Sequence, residues 1–284
     1  MPIFEYNKLK DKQIKDIGEL ISICNTYEGL NRIPLLSNDN LYEDMKSYYL
    51  YYEKNELISV LIIDQLQFSE AEITGYTLPA LRRQGYFYKL LENAMDELAY
   101  FDIFKILFVV EPKSKSGTLA AQALAEYDCS EYMLLHDLST DNMKNINANI
   151  RYKKICEVCD LNKQAAKMID KESILAAEIA IQTKDMVCFE AYLDNTFVGI
   201  CNVSFEMERA YLFGLYVVDN YRRQKIGYSF VLYILDQALQ AGKKELILQV
   251  GNNLPALKLY LKMGFSILEQ YDYYVFYTED LEDN

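Results

Sequence analysis

Tyr211-Leu212-Phe213-Gly214-Leu215-Tyr216-Val217-Val218 is followed, two residues on, by Tyr221-Arg222-Arg223-Gln224-Lys225-Ile226-Gly227. The first run is apolar and aromatic and reads as a strand, while the second is a basic turn that opens into a long amphipathic helix. A second apolar strand, Glu245 to Val250, comes next. After it stands Asn253-Leu254-Pro255-Ala256-Leu257-Lys258-Leu259-Tyr260, closed by Gly264-Phe265. A strand feeding a basic turn at a helix start is a place to hold an anion. The first backbone N–H groups of the helix lack intrahelical partners, and the positive end of its dipole faces the same point.

Upstream, the chain shows the same order once before. Residues 3–9 alternate as a strand, and Asp11 to Asn25 places Ile14, Ile17, Leu20, Ile21 and Cys24 at helical spacing. A loop-like stretch, Tyr27 to Asp39, leads to a predicted hairpin, Tyr48 to Glu53 and Leu57 to Asp64, around Lys54-Asn55. Then come a strand (Glu70 to Leu78), the turn Leu81-Arg82-Arg83-Gln84-Gly85 and a helix with Phe87, Leu90, Leu91, Ala94, Met95 and Leu98 on one face. Phe104 to Val110 is a buried-strand run, Ser116 to Ala125 is helical, and Tyr127 to Leu138 is a last strand. Tyr52-x-x-Asn55 matches Tyr192-x-x-Asn195, Tyr76 with Arg82-Arg83-Gln84 matches Tyr216 with Arg222-Arg223-Gln224, and Leu107 matches Ile247. One shift in numbering, the one that carries Tyr52 onto Tyr192, relates all three pairs. A period this long is a domain duplication rather than a solenoid. The expected division is 1–140 and 147–278, joined by the polar stretch Ser139 to Asn147, with an acidic tail over 279–284.

Bulk composition narrows the classes of function. With 284 residues, half of them hydrophobic, the chain has ample core material for two domains. A net charge of −13 argues against nucleic-acid binding, which needs a basic face. Six cysteines are scattered without a framework, and Cys156-x-x-Cys159 has neither a second pair nor a nearby histidine, so a zinc site is not expected. No apolar run is long enough to span a bilayer, and the N-terminal residues do not have a signal-peptide layout. The expectation is a cytoplasmic protein without a metal, monomeric or homodimeric.

The succession of strand, Gly-containing basic turn, helix, strand and Asn-x-x-Ala…Tyr…Gly-Phe resembles the GNAT superfamily of acetyl-CoA-dependent N-acetyltransferases. The resemblance covers both halves in element order. It implies an α/β (α+β) fold of two GNAT-like domains, each a mixed, mostly antiparallel sheet flanked by helices. The family's phosphate-loop pattern, Arg/Gln-x-x-Gly-x-Gly/Ala, maps onto Arg222, Arg223, Gln224, Lys225, Ile226 and Gly227, with Tyr228 following. Tyr216, Val217 and Val218 then fall on the strand that would contact acetyl-CoA, and Asn253 and Ala256 on the segment that would hold its pantetheine arm. Both copies depart from the pattern: Lys225 replaces the first Gly, and Phe87 replaces the second small residue of the first copy. Lys225 is expected to serve only with negative φ. From these residues alone, a solvated basic turn remains an equal reading of Arg222, Arg223 and Lys225.

The resemblance also implies roles. Tyr260 would protonate the departing thiolate, which is chemically reasonable for a phenol facing a thiolate of similar basicity. A chain with 25 tyrosines, however, also places many on helices for packing alone. The first copy has Lys113, Ser116 and Ala120 where the second has Asn253, Ala256 and Tyr260, so it lacks the acid. Chemistry is therefore expected in the second copy, with the first structural, lining the acceptor pocket or binding CoA without turnover. The base that deprotonates the amine is expected to be Glu208 or Glu206, and Glu72 lies on the equivalent strand of the first copy. The acceptor amine, of a small molecule or a peptide, is not legible. The opposing reading is a non-catalytic acyl-CoA-binding scaffold.

Overall fold

The computed structural model describes residues 3–34, 36, 41–140, 149–161, 169, 171–205, 208–252 and 255–278. In the first repeat the order is β1 (Ile3–Tyr6), α1 (Asp11–Glu28), β2 (Tyr48–Glu53), β3 (Glu56–Gln67), β4 (Glu70–Thr77), α2 (Tyr86–Tyr100), β5 (Lys105–Val110), α3 (Lys115–Leu124) and β6 (Glu126–Asp137). The second continues with β7 (Ile150–Ile155), α4 (Lys171–Gln182), β8 (Met186–Leu193), β9 (Thr196–Ser204), β10 (Ala210–Val217), α5 (Ile226–Gln240), β11 (Glu245–Gly251), α6 (Pro255–Lys262) and β12 (Ser266–Tyr277). From β3 and β9 onward, down to β6 and β12, the first residues of paired elements keep the constant offset seen in the sequence. Even the hairpin turns agree. Lys54-Asn55 and Asp194-Asn195 all have positive φ, the geometry that suits the twist of a two-residue hairpin.

In the strands of each repeat successive residues face opposite helix layers. In the first repeat Val60 and Ile62 pack with Ile17, Leu20 and Ile21 of α1, whereas Leu61 and Ile63 pack with Leu90, Leu91, Ala94 and Leu98 of α2. The second repeat does the same: Phe197 and Ile200 meet Ala177 and Ala180 of α4, and Val198, Cys201 and Val203 meet Phe230, Ile234 and Leu235 of α5. No described helix is long and apolar enough to cross a membrane.

The compact units are not sequential. One comprises Met1–Glu131 with Glu269–Asn284, the other Tyr132–Leu268. Each unit is thus completed by the last strand of the other repeat. In the first unit, Asp272–Tyr277 of β12 pairs antiparallel with Val110–Lys105 of β5. In the second, Leu134 and Leu138 at the end of β6 enter the core, and the Leu138 N–H donates to the Lys244 carbonyl at 2.9 Å. The expected partition into 1–140 and 147–278 misses this, because β6 and β12 are counterparts with interchangeable hydrophobic patterns. The expected linker (141–147) and tail (279–284) lie outside the described residues.

Sheet pairing then sets the site. In each repeat the parallel pair is short: Glu70–Ile73 with Lys105–Phe108, and Ala210–Leu212 with Leu246–Leu248. Beyond these registers the strands part.

The exchange makes a specific demand on stability. Tyr274 is buried in the core of the first unit, its ring against Tyr127 at 5.7 Å. Tyr274→Ala is expected to destabilise that unit by roughly 3 kcal/mol. Chemical denaturation followed by hydrogen exchange of β5 amides measures this; protection of β5 lost ahead of β11 is the expected result.

Candidate active site

Where the parallel strands part, backbone groups on both lose their ladder partners and must find others. In the first repeat this splay is a cavity of about 530 Å³, lined by Gly75 and Thr77 of β4, Val109 and Val110 of β5 and the start of α2 and α3. Thr74 lines it too, its buried hydroxyl without a hydrogen-bond partner among the described residues. Gly85, the N-cap of α2, lines it as well, so the first turn of that helix borders it.

The two basic turns share one backbone conformation. Arg83 and Arg223 have φ of 61° and 65°. Gly85 (φ 81°, ψ 6°) and Lys225 (φ 62°, ψ 14°) are both left-handed N-caps. The negative φ on which a phosphate-holding role of Lys225 was made to depend is therefore not found. The loop keeps the shape that glycine favours and holds a lysine in it, at a cost of about 1–2 kcal/mol. The first arginine of each turn braces the loop. Arg82 Nε donates to the Thr77 carbonyl at 3.1 Å, and Arg222 Nε donates to the Val217 carbonyl at 3.0 Å. Arg222 also pairs with Asp219 at 2.7 Å and lies over the Tyr216 ring. Arg223, Gln224 and Lys225 are exposed, which leaves them facing solvent at the loop rim.

The remaining candidates of the second repeat fall as follows. Ile226 is buried in the core, Gly227 is half-buried beside Val217 and Leu259, and Tyr228 is exposed on the first turn of α5. The Val218 N–H is already donated to the Val198 carbonyl, so it is not available to a ligand. Ala256 is half-buried on α6. Tyr260 is buried, its ring 5.5 Å from that of Phe265. Burial, followed by the nearby Cys201 thiol, pushes the phenol well above its ordinary value. Glu208 is exposed at the bend before β10, whereas Glu206 and Asn253 lie outside the described residues.

In the first repeat, Ser114 caps α3, and both Ser114 and Ser116 donate to Glu28, which also pairs with Arg82 at 2.9 Å. Phe87 packs against Gly75, where a Cβ would have no room. On the α1 face Glu72 of β4 stands opposite Asp64 of β3, with Arg32 3.7 Å from Glu72. Burial pushes Glu72 up to about 7 despite Arg32, and Asp64 to about 6 for the same reason. Sequence reasoning noted Glu72 but missed Asp64 and Arg32. The hairpin register could have revealed Asp64; nothing marks Arg32, which comes from a loop.

Two outcomes follow. Lys225→Gly relieves the left-handed strain but adds freedom to the unfolded chain, worth about 0.5–1 kcal/mol in the other direction. The net expectation is a stabilisation of roughly 0.5–1 kcal/mol, read from denaturant melts. For Glu72 the folded value lies above the ordinary 4.5, so the folded state holds the proton longer. Stability is therefore highest below 4.5 on this account, falls as pH rises towards about 7, and levels beyond. Glu72→Gln should flatten that fall in pH-dependent melting; an unchanged slope contradicts the assignment.

Residues 155–265 match the model of the acetyltransferase (GNAT) family. N-alpha-acetyltransferase 30 of Dictyostelium discoideum is 27% identical over 114 residues, a match covering 36% of this chain and 61% of that protein. Among solved structures, a GCN5-related N-acetyltransferase from Sphaerobacter thermophilus has a TM-score of 0.76 at 14% identity, with 97% of this chain and 95% of that one covered. A tandem GNAT protein from the clavulanic acid biosynthesis pathway has a TM-score of 0.67 at 12% identity, covering 97% and 98%. These likenesses extend over both repeats, and the family match falls on the second. Residues 155–265 thus carry the likeness to the acetyltransferase (GNAT) family, and the likeness in fold extends over both repeats.

Proposed function

We infer that the protein transfers an acetyl group from acetyl-CoA to the amine of a small molecule or peptide, with the chemistry in the second repeat. The observation that carries this is the splayed parallel pair with a left-handed cap and a helix N-terminus at its end, present in both repeats. Such a splay suits an extended arm bearing amides, which can pair with the strand backbone. The helix start suits a diphosphate.

In the second repeat a neutral amine attacks the thioester carbonyl, backbone N–H groups of β10 near Tyr216 and Val217 stabilise the oxyanion, and Tyr260 protonates the sulfur. A phenol raised by burial stays protonated throughout the working range. Proton transfer to the departing thiolate then requires that the sulfur be desolvated beside it, since burial raises both groups. Asn253 and Ala256 hold the pantetheine arm, Glu208 or Glu206 receives the amine proton, and Arg223, Gln224, Lys225, Gly227 and Tyr228 border the diphosphate. The name of the Dictyostelium relative favours an α-amine as acceptor.

For the first repeat, binding without turnover is the favoured reading. Its cavity is open, but Ala120 stands where the second repeat has Tyr260. Two substitutions separate the roles. Tyr260→Phe should lower kcat by at least about tenfold with little change in the KM for acetyl-CoA. Ala120→Phe, which fills the first cavity, should reduce the calorimetric stoichiometry of acetyl-CoA from two to one and spare kcat. Full activity in Tyr260→Phe together with a dead Ala120→Phe would move the chemistry to the first repeat.

A further inference from the structure

The duplication provides an internal control on core composition. Leu50 of β2 and Ile62 of β3 are fully buried in the first repeat, packed with residues of α1. At the same offset that relates the two turns, their counterparts are Glu190 of β8 and Asn202 of β9, both fully buried as well. The fold is thus satisfied by two aliphatic side chains at places where the second repeat keeps a carboxylate and a carboxamide. Burying such groups without partners costs stability, so a use outside folding is called for. Glu190 accepts a hydrogen bond from the Tyr192 hydroxyl at 2.5 Å. Asn202 differs: neither Oδ1 nor Nδ2 has a hydrogen-bond partner among the described residues. Because both atoms are unpartnered, flipping the amide does not help.

The amide is aimed at the irregular part of β10. Register with β9 shifts between Phe213 and Tyr216, and Gly214 lies within that stretch with φ 59°. A Cβ on Gly214 would come within 2.7 Å of Asn202 Nδ2, and the left-handed φ favours glycine there as well. Gly214 is itself exposed, which puts Asn202 one glycine below the surface. Asn202 pairs with Phe213 and Ile200 with Tyr216, so these two half-buried rings share the face of the amide. Tyr211 stacks on Phe213 at 5.8 Å and 15°. The patch begins just beyond Leu212, where β10 leaves β11.

The geometry points to Asn202 as the residue that sets acceptor specificity, by hydrogen bonding an amide group next to the reacting amine. This rests on the acetyl-transfer reading above. A carboxamide with both atoms free is satisfied by a group that brings a donor and an acceptor. An amide brings both on separate atoms of one planar group, whereas a hydroxyl carries both on a single oxygen, an alkylammonium only donates and a carboxylate only accepts. The acceptor class is therefore an α-amino amide, such as a peptide N-terminus, and the aromatic pair offers flat surface to its planar group.

The test compares glycinamide with ethylamine as acceptors for wild type, Asn202→Leu and Asn202→Ala at saturating acetyl-CoA. Differences in amine basicity cancel when the kcat/KM ratio of the two amines is compared between variants. That ratio should fall at least about tenfold in both variants, with the KM for acetyl-CoA unchanged. Asn202→Leu, close in shape and now aliphatic like the first repeat, should also melt higher than wild type. An unchanged ratio, or a lower melting temperature for Asn202→Leu, overturns the proposal; if the leucine variant does not fold, the alanine variant still reads the ratio. If wild type acetylates neither amine, the transfer reading fails, and the site is judged by melting shifts with glycinamide. A shift in wild type that is absent in Asn202→Ala supports the site, and equal shifts overturn it.

Discussion

Parallel pairing in each repeat stops after three or four residues, and the proposed site lies where it stops. The antiparallel neighbours hold β4 and β10 in place along their far edges, while β5 and β11 are anchored by other strands. The strands therefore cannot close the gap, and a row of backbone donors and acceptors stays without a ladder. A protein of this size gains nothing in stability from such a gap. On the proposed reading, its value is that an extended, amide-bearing ligand acts as the missing strand, with a helix N-terminus for its anionic end.

Duplication then allowed the two splays to diverge on a common frame. The first kept glycine at the left-handed cap but placed Phe87 over Gly75 and has Ala120 on α3. The second has lysine at the cap but keeps Gly227 and the buried Tyr260. Strand exchange ties the copies together covalently and in their cores: Tyr274 belongs to the first unit although it is encoded at the end of the second repeat. Neither repeat is a self-contained segment of sequence, so variants of the full chain, rather than isolated halves, separate their roles.

Much of this was legible in the sequence. The hairpin pattern of β2 and β3 around Lys54-Asn55, its match at Tyr192-x-x-Asn195 and the constant offset between the copies yield the element order and the duplication. The turn Arg222 to Gly227 was legible as a helix start, because strand, basic turn and apolar helix follow one another without interruption. Strand exchange was not, since β6 and β12 carry equivalent patterns and only tertiary packing decides which sheet each completes. The left-handed backbone at Lys225 was not legible, because a lysine's own φ preference points the other way. Arg222 reads as part of an anion-binding turn in sequence; in the structure its side chain braces the end of β10, as Arg82 braces that of β4. Asn202 gave no signal at all: an isolated Asn in an apolar strand is noticed only when its counterpart, Ile62, is seen to fill the same space.

The central claim is that acetyl-CoA lies in the splays and completes their hydrogen bonding. Hydrogen–deuterium exchange of the full chain with and without saturating acetyl-CoA tests it most directly. The account predicts added protection over residues 74–77, 85–88 and 109–117 of the first repeat, and over 214–217 and 225–228 of the second. Protection confined to other parts of the chain, or none at any concentration, would contradict it.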